Sequence, residues 1–258
     1  MRTRGVTTLL LLLCAASVLA QGTTYETIRL ENERASLAQL TKQLLASDQF
    51  FDGGDLHRFV FATVTHRVRT VSDEHRAALS LWKGMVEDGG RIVESRDEVE
   101  VTQGGLSLWM PIDRRVKSIL FERSVAGQGV YLLVRPVGRK GDDAVFFIEH
   151  VVTLEERGMD RVYGDAVYCA SALKNTDESA SVLESVRKQW SGSSAWNAGK
   201  HAAAESFVRG MVAWNSGEAD RAETQWASAR SFMQSNPDDA LSQKLQISFQ
   251  SIAEGPVR

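Results

Sequence analysis

Chemistry in this chain would have to come from its histidines, its cysteines, its paired acids or a serine held in a nucleophile turn. The five histidines are His57, His66, His75, His150 and His201. On a single helix over 55–75, His57 and His66 would point to opposite faces, and His57 and His75 would stand about 27 Å apart. No such pair is expected to hold one metal ion, and His66-Arg67 and His75-Arg76 read as solvated surface positions. A nucleophilic thiol needs a histidine or a basic environment to lower its pKa. Cys169 is flanked instead by Val167, Tyr168, Ala170 and Ala172, so a buried structural thiol is expected. Gly192-Ser193-Ser194 lacks the second glycine of the hydrolase turn. Asp142-Asp143 and Asp238-Asp239 lie where turns or helix starts are expected. Gly138-Arg139-Lys140-Gly141 lacks the lysine-serine or lysine-threonine step of a phosphate loop. The expected catalytic residues, cofactor-binding residues, metal ligands and cofactors are therefore none. Arg114, Arg115, Lys117, Arg123, Arg135, Arg139 and Lys140 form a modest basic cluster with acids interspersed. It reads as a solvated sheet face, with a docking surface for an acidic protein as the alternative.

The elements that would position these residues fall into three stretches. Residues 24–89 read as helical. Leu37, Leu40, Leu44 and Leu45 recur at helical spacing within Glu31 to Ala46, and Leu79, Leu81, Trp82 and Met85 do so within Asp73 to Val86. Between them, Asp55 to Val71 fits a helical face through Phe59, Val60, Phe61, Val64 and Val68, yet its β-branched content would also suit a strand. The period then shortens. Ile92 to Glu94, Val99 to Val101, Leu106 to Met110, Val116 to Phe121, Gly129 to Val134 and Ala144 to Thr153 read as about six strands joined by turns such as Gln103-Gly104-Gly105. They predict a small antiparallel sheet over 91–154. Helices resume after Leu154: one over 160–173, and one opened by Thr176 as N-cap with Asp177 and Glu178 in its first turn. The fold class is α+β: N-terminal helices, a small antiparallel sheet in the middle and helical hairpins at the C-terminus.

The N-terminus carries a different signal. Arg2 and Arg4 precede the apolar run Leu9 to Leu13, and Val18-Leu19-Ala20 precedes Gln21. A basic start, a short apolar core and small residues before a cleavage point are the order of a secretory signal, expected to be removed after residue 20. The apolar core is shorter than the ~20 residues of a membrane span. Cys14 follows Leu13, where a lipid-attachment signal wants a small residue, so lipidation is not expected. The predicted organisation is a signal peptide at 1–20, a helical segment plus antiparallel sheet at 21–155 and an all-helical domain at 156–258. Localisation would be periplasmic or extracellular. Without Arg2 and Arg4 the chain's 30 basic and 33 acidic side chains become 28 and 33, a formal charge of −5. That balance lacks the positive footprint of a nucleic-acid binder, and no later segment is long and apolar enough to be a membrane span.

Residues 195–253 hold an internal match at an offset of 18. Trp196-Asn197-Ala198-Gly199 pairs with Trp214-Asn215-Ser216-Gly217, and Ala204-Glu205-Ser206 pairs with Ala222-Glu223-Thr224. In the second copy Gly210, Gly217, Ala222, Trp226 and Ala229 fall at spacings that resemble the tetratricopeptide pattern, a helical hairpin of about 34 residues. The resemblance covers some 50 residues. It implies a close helix crossing at Gly210, a turn at Gly217, small residues Ala222 and Ala229 on the second helix and Trp226 as its large aromatic. Departures are Ser206 where the family favours tryptophan, Arg209 where it favours leucine, and a late Pro237. A further helix over Asp239 to Ile252, with Leu241, Leu245, Phe249 and Ile252 inward, would cap the hairpin.

Three functions remain open. The leading expectation is a non-catalytic exported protein acting as a scaffold or adaptor in an extracytoplasmic assembly with protein partners. The alternatives are a solute- or ligand-binding protein, with Trp109, Phe146 and Phe147 lining a pocket, and a hydrolase acting on an envelope polymer.

Overall fold

The ambiguous segment is a strand. Its run of valine, phenylalanine and threonine packs a pleated surface better than a helix, because branching at Cβ crowds the preceding helical turn. In the structure, a computed structural model that describes residues 33–46, 57–85, 95–141 and 143–254, β1 (Glu33–Arg34) leads through α1 (Leu37–Ala46) to β2 (Arg58–Thr70), which corrects the helical reading of that part of 24–89. Then come α2 (Asp73–Met85), β3 (Asp97–Gln103), β4 (Leu106–Ile112), α3 (Arg114–Arg123), β5 (Gln128–Lys140) and β6 (Asp143–Val152). The chain is α+β, with a helix first, the sheet in the middle and helices at the end. The signal at 1–20 and the strand expected at Ile92 to Glu94 lie outside the described residues.

Val116 to Phe121 is a second correction: it belongs to helix α3. Asp113 settles it, because its carboxylate accepts hydrogen bonds from the Arg115 and Val116 amides as an N-cap. The four basic residues Arg114, Arg115, Lys117 and Arg123 therefore ride on a helix and do not line a sheet.

The strands do more than form a sheet. β2 pairs with β3, β3 with β4, β4 with β6, β6 with β5, and β5 returns to β2, closing a five-stranded ring. All of these pairs are antiparallel except β4–β6, which are parallel. A five-stranded Greek-key barrel is the architecture of OB-type folds, and the architecture alone carries no function. Alternation along the strands sorts the side chains. Val60, Val64, Val99, Val101, Met110, Leu132, Val134, Phe146 and Ile148 fill the interior, with Leu37, Leu40 and Leu44 of α1 and Leu120 of α3 packed against them. Two patches of the outer surface are also covered: α2 lays Leu79 and Trp82 on Val137, Val145 and Phe147, and Phe59, Phe61, Tyr131, Leu133 and Val152 face the C-terminal helices.

Those helices are α4 (Leu154–Arg157), α5 (Met159–Ser171), α6 (Thr176–Trp190), α7 (Ala198–Asn215), α8 (Ala219–Ser235) and α9 (Ala240–Glu254). α6 is capped one residue earlier than expected, by Asn175, whose side chain accepts from the Glu178 amide. One apolar cluster runs without a break from the barrel face through Val162, Val167 and Val182 to Phe207, Trp226, Leu241 and Leu245. It continues across the expected boundary at 155/156.

α7 and α8 form an antiparallel hairpin. Gly217, at φ 78°, sits in its turn. Its amide donates to the Trp214 carbonyl and the Glu218 amide reaches back to Ala213, the two bonds of a Schellman end. The offset-18 match is one of sequence and not of conformation, because Asn197 caps the start of α7 whereas Asn215 ends it. A methyl group at Gly217 would meet nothing within 4 Å, so the cost of Gly217→Ala is the backbone's alone. It should destabilise by ~1 kcal/mol, read as a lowered thermal midpoint. A raised midpoint would contradict the turn.

Candidate functional site: a groove between α5 and α9

The helical part opens a groove to solvent where α5 and α9 run side by side. Arg157, Asp160, Arg161, Gly164, Val167, Tyr168, Ala240, Lys244 and Ile247 are among its lining residues, around a volume of about 390 Å³. Its two edges are fixed from below. Ser171 and Ser248 share a hydrogen bond of 3.2 Å between the helices, and Leu241 and Leu245 anchor α9 in the core. Arg157 is held by a two-pronged contact with Asp165, 2.8 Å on each arm, over the rings of Phe59 and Tyr131. Tyr168 and Ile247 rim the groove 46 % and 60 % exposed.

A second hollow continues from it past Glu156, Met159, Ala195 and Asn197 to Lys200. The Lys200 ammonium is nearly buried and bridges Asp160 at 2.6 Å and Asp239 at 2.7 Å. Burial alone would lower its pKa, but the hydrogen bonds it donates to the two carboxylates, with their charges, outweigh burial and hold it above the ordinary lysine value. Lys200 is thus a charged strut between α5, α7 and the start of α9, not a neutral amine available as a base.

The five histidines are dispersed. His57 contacts Glu149 at 2.6 Å beside Arg135, whose guanidinium lies over Trp82. His75 was expected on the surface and is buried, with Nδ1 2.5 Å from Glu98 Oε1. His66 is half-buried, not solvated, stacked on Phe121 at the β2 bulge with φ 61°. His201 packs among Tyr163, Trp196 and Glu205, and burial lowers its pKa against the opposing pull of Glu205. Burial lowers that of His150 as well. Among the described residues, no three His, Cys, Asp or Glu side chains gather as metal ligands.

One pair has the look of a nucleophile and base. His66 Nε2 lies 2.9 Å from Ser124 Oγ. That hydroxyl, however, donates its single hydrogen to the Leu120 carbonyl at 2.7 Å. His66 must then donate through Nε2, the reverse of what a base activating serine does. The pair ties the β2 bulge to the end of α3. Cys169 is buried, with its thiol 3.8 Å from the buried Glu178 carboxylate.

The three aromatics considered as a pocket are separated. Phe146 fills the barrel interior, Phe147 packs outside against Trp82 of α2, and Trp109 lies on another outer face beneath Arg67 and Arg69. The basic cluster is likewise scattered: Lys117 pairs with Asp97, Arg123 with Glu156, Arg135 with Glu149, and Arg139 donates to the Leu45 carbonyl. Sequence reasoning missed the groove. Tyr168 and Ile247, each exposed on an otherwise amphipathic helix, were its one local sign.

Comparison with protein-family models, with curated proteins and with solved structures finds no match for this chain.

Proposed function

We propose that this chain is a non-catalytic exported protein that acts as a scaffold or adaptor in an extracytoplasmic assembly. The observation that carries the reading is the α5–α9 groove, where large apolar side chains stand exposed on a rigid helical support. Exposed apolar patches rimmed by polar groups mark contact surfaces. The α7–α8 hairpin supports it: Gly210 beneath Trp226, with Ala222 and Ala229 buried, is the packing a tetratricopeptide-like unit requires, and such units present surfaces to proteins. The polar clusters support it in another way, because Ser124, Lys200 and Glu98 are each engaged in holding elements together. Export rests on the basic start, the Leu9 to Leu13 core and the small residues before Gln21.

The test is crosslinking in the native compartment. Protein recovered from the exported fraction should begin at or near Gln21 and carry a specific protein partner. Recovery of protein starting at Met1, or of no partner at all, overturns the proposal.

A further inference from the structure

We propose that the α5–α9 groove takes an acidic peptide segment of a partner protein, with a carboxylate between Arg161 and Lys244 and an apolar side chain between Tyr168 and Ile247. The inference rests on the scaffold reading above and names the partner's chemistry.

Charge complementarity is the first argument. The chain as a whole is acidic, with a formal charge of −3, yet this groove has cations in excess. Its acids are already engaged: Asp165 holds Arg157, and Asp160 holds Lys200. Arg161 and Lys244 are exposed, and neither is in ion-pair contact with an acid among the described residues. Two cations on facing helices at the edge of a half-enclosed, partly apolar cleft attract a carboxylate more strongly than the same cations on an open surface, because field lines concentrate where water is partly excluded.

The second argument is the floor. Gly164 lies in the middle of α5, where glycine is less favourable than alanine by ~1 kcal/mol. Its φ is not in the left-handed region, and a methyl group there would meet only the Lys244 side chain, at 3.5 Å, an ordinary contact. Neither backbone geometry nor internal packing requires this glycine. It lines the floor of the groove, buried beneath the Lys244 stem, so a ligand that engages the Lys244 ammonium and draws that stem aside would lie against bare helix backbone. The third is the rim. Tyr168 and Ile247 are exposed at the rim, one on each helix. An extended or helical segment alternating acidic and apolar side chains satisfies all three features at once.

The experiment uses the mature chain from Gln21 and a fluorescein-labelled octapeptide that alternates glutamate with leucine and phenylalanine. Its partner probe has every glutamate replaced by glutamine. Fluorescence polarisation should show the glutamate peptide binding at least tenfold more tightly than the glutamine peptide, with affinity falling as salt is raised. The double variant Arg161→Glu/Lys244→Glu should lose at least tenfold, and Ile247→Ser about fivefold. All three positions are exposed, and an unchanged thermal midpoint will show that the variants fold. Equal affinity for the two peptides, no binding of either, or binding untouched by the double charge reversal overturns the proposal. Crosslinking separates this from the scaffold reading. A partner recovered equally by wild type and by the double variant removes the groove and leaves the scaffold standing, whereas no partner with wild type removes the scaffold itself.

Discussion

Gly210→Ala should destabilise the protein by ~2–3 kcal/mol, the opposite of what the same change does in an ordinary helix. In an exposed helix interior, replacing glycine by alanine gains ~1 kcal/mol of helix propensity. Gly210 is buried in α7, with the Trp226 indole of α8 lying directly on it. A methyl group built there would stand 2.1 Å from Nε1, 2.2 Å from Cδ1 and 2.7 Å from Cε2 of that indole, closer than any carbon tolerates, so one partner must move. Trp226 has no room to do so. Its Nε1 donates to the Phe207 carbonyl at 3.0 Å, and its ring is flanked by Trp214, Phe207 and Phe249. Overpacking of this kind typically costs ~1–3 kcal/mol, occasionally more, and here it must also exceed the propensity gain. For a chain of this length each kcal/mol moves the midpoint by roughly 2–4 °C, so thermal unfolding should fall by about 4–12 °C. A second variant identifies the cause. Trp226→Leu alone leaves a cavity and also destabilises, but Gly210→Ala combined with Trp226→Leu should be better than the sum of the two, because the methyl then occupies space the indole has vacated. Simple additivity, or a rise in midpoint for Gly210→Ala, would show that the helices are not in contact there.

The hairpin was legible because its signals are local. Asn215-Ser216-Gly217 ends a helix through its own backbone, and alanines at 222 and 229 with tryptophan at 226 write one helical face. What could not be read was whatever depends on distant partners. β2 closes the barrel through β5, where Phe61 pairs with Tyr131, some 70 residues away, and nothing in either segment announces the other. The helix α3 was misread because Val116, Ile119 and Phe121 suit a strand by type, and the deciding residue is the N-cap Asp113, outside the apolar run. His75 looked like surface because an arginine, Arg76, stands beside it, and that arginine is indeed exposed while the histidine is not. Its partner Glu98 is on another element, and a buried carboxylate cannot be told from a solvated one by its neighbours in sequence. The groove has the same origin: Tyr168 and Ile247 become neighbours only when α9 packs on α5.

Glu98 is where that long-range pairing should have its largest measurable effect. Its side chain is fully buried on the outer surface of the barrel, between β2 and the start of α2. Arg69 donates to Oε2 at 2.6 Å from the neighbouring strand. The Ser72 amide donates to Oε1 at 3.2 Å, and His75 lies against the same oxygen. Burial alone would push the Glu98 pKa up, but the contacts with His75, Arg69 and the Ser72 amide together outweigh it and hold the carboxyl below the ordinary glutamate value of 4.5. A carboxylate buried with its partners contributes little against an apolar replacement of equal fit, yet removing one member of such a set is costly, because the rest stay behind unsatisfied. Glu98→Ala strands the Ser72 amide and His75 and leaves a cavity, while Arg69, 44 % exposed, can turn to water. The expected loss is ~3 kcal/mol, the lower end of the range for broken buried pairs. The sign of the pH dependence follows from the lowered pKa. The stabilisation is fully present above the unfolded-state value and is lost as pH falls through the folded one. The difference in unfolding free energy between wild type and Glu98→Gln, which keeps the shape and removes the charge, should therefore be greatest near pH 7 and shrink as the pH drops below about 4. Urea titrations of both proteins at pH 7 and pH 3 measure it. A difference that stays constant across that range, or grows in acid, would show that the Glu98 charge is not what joins α2 to the barrel.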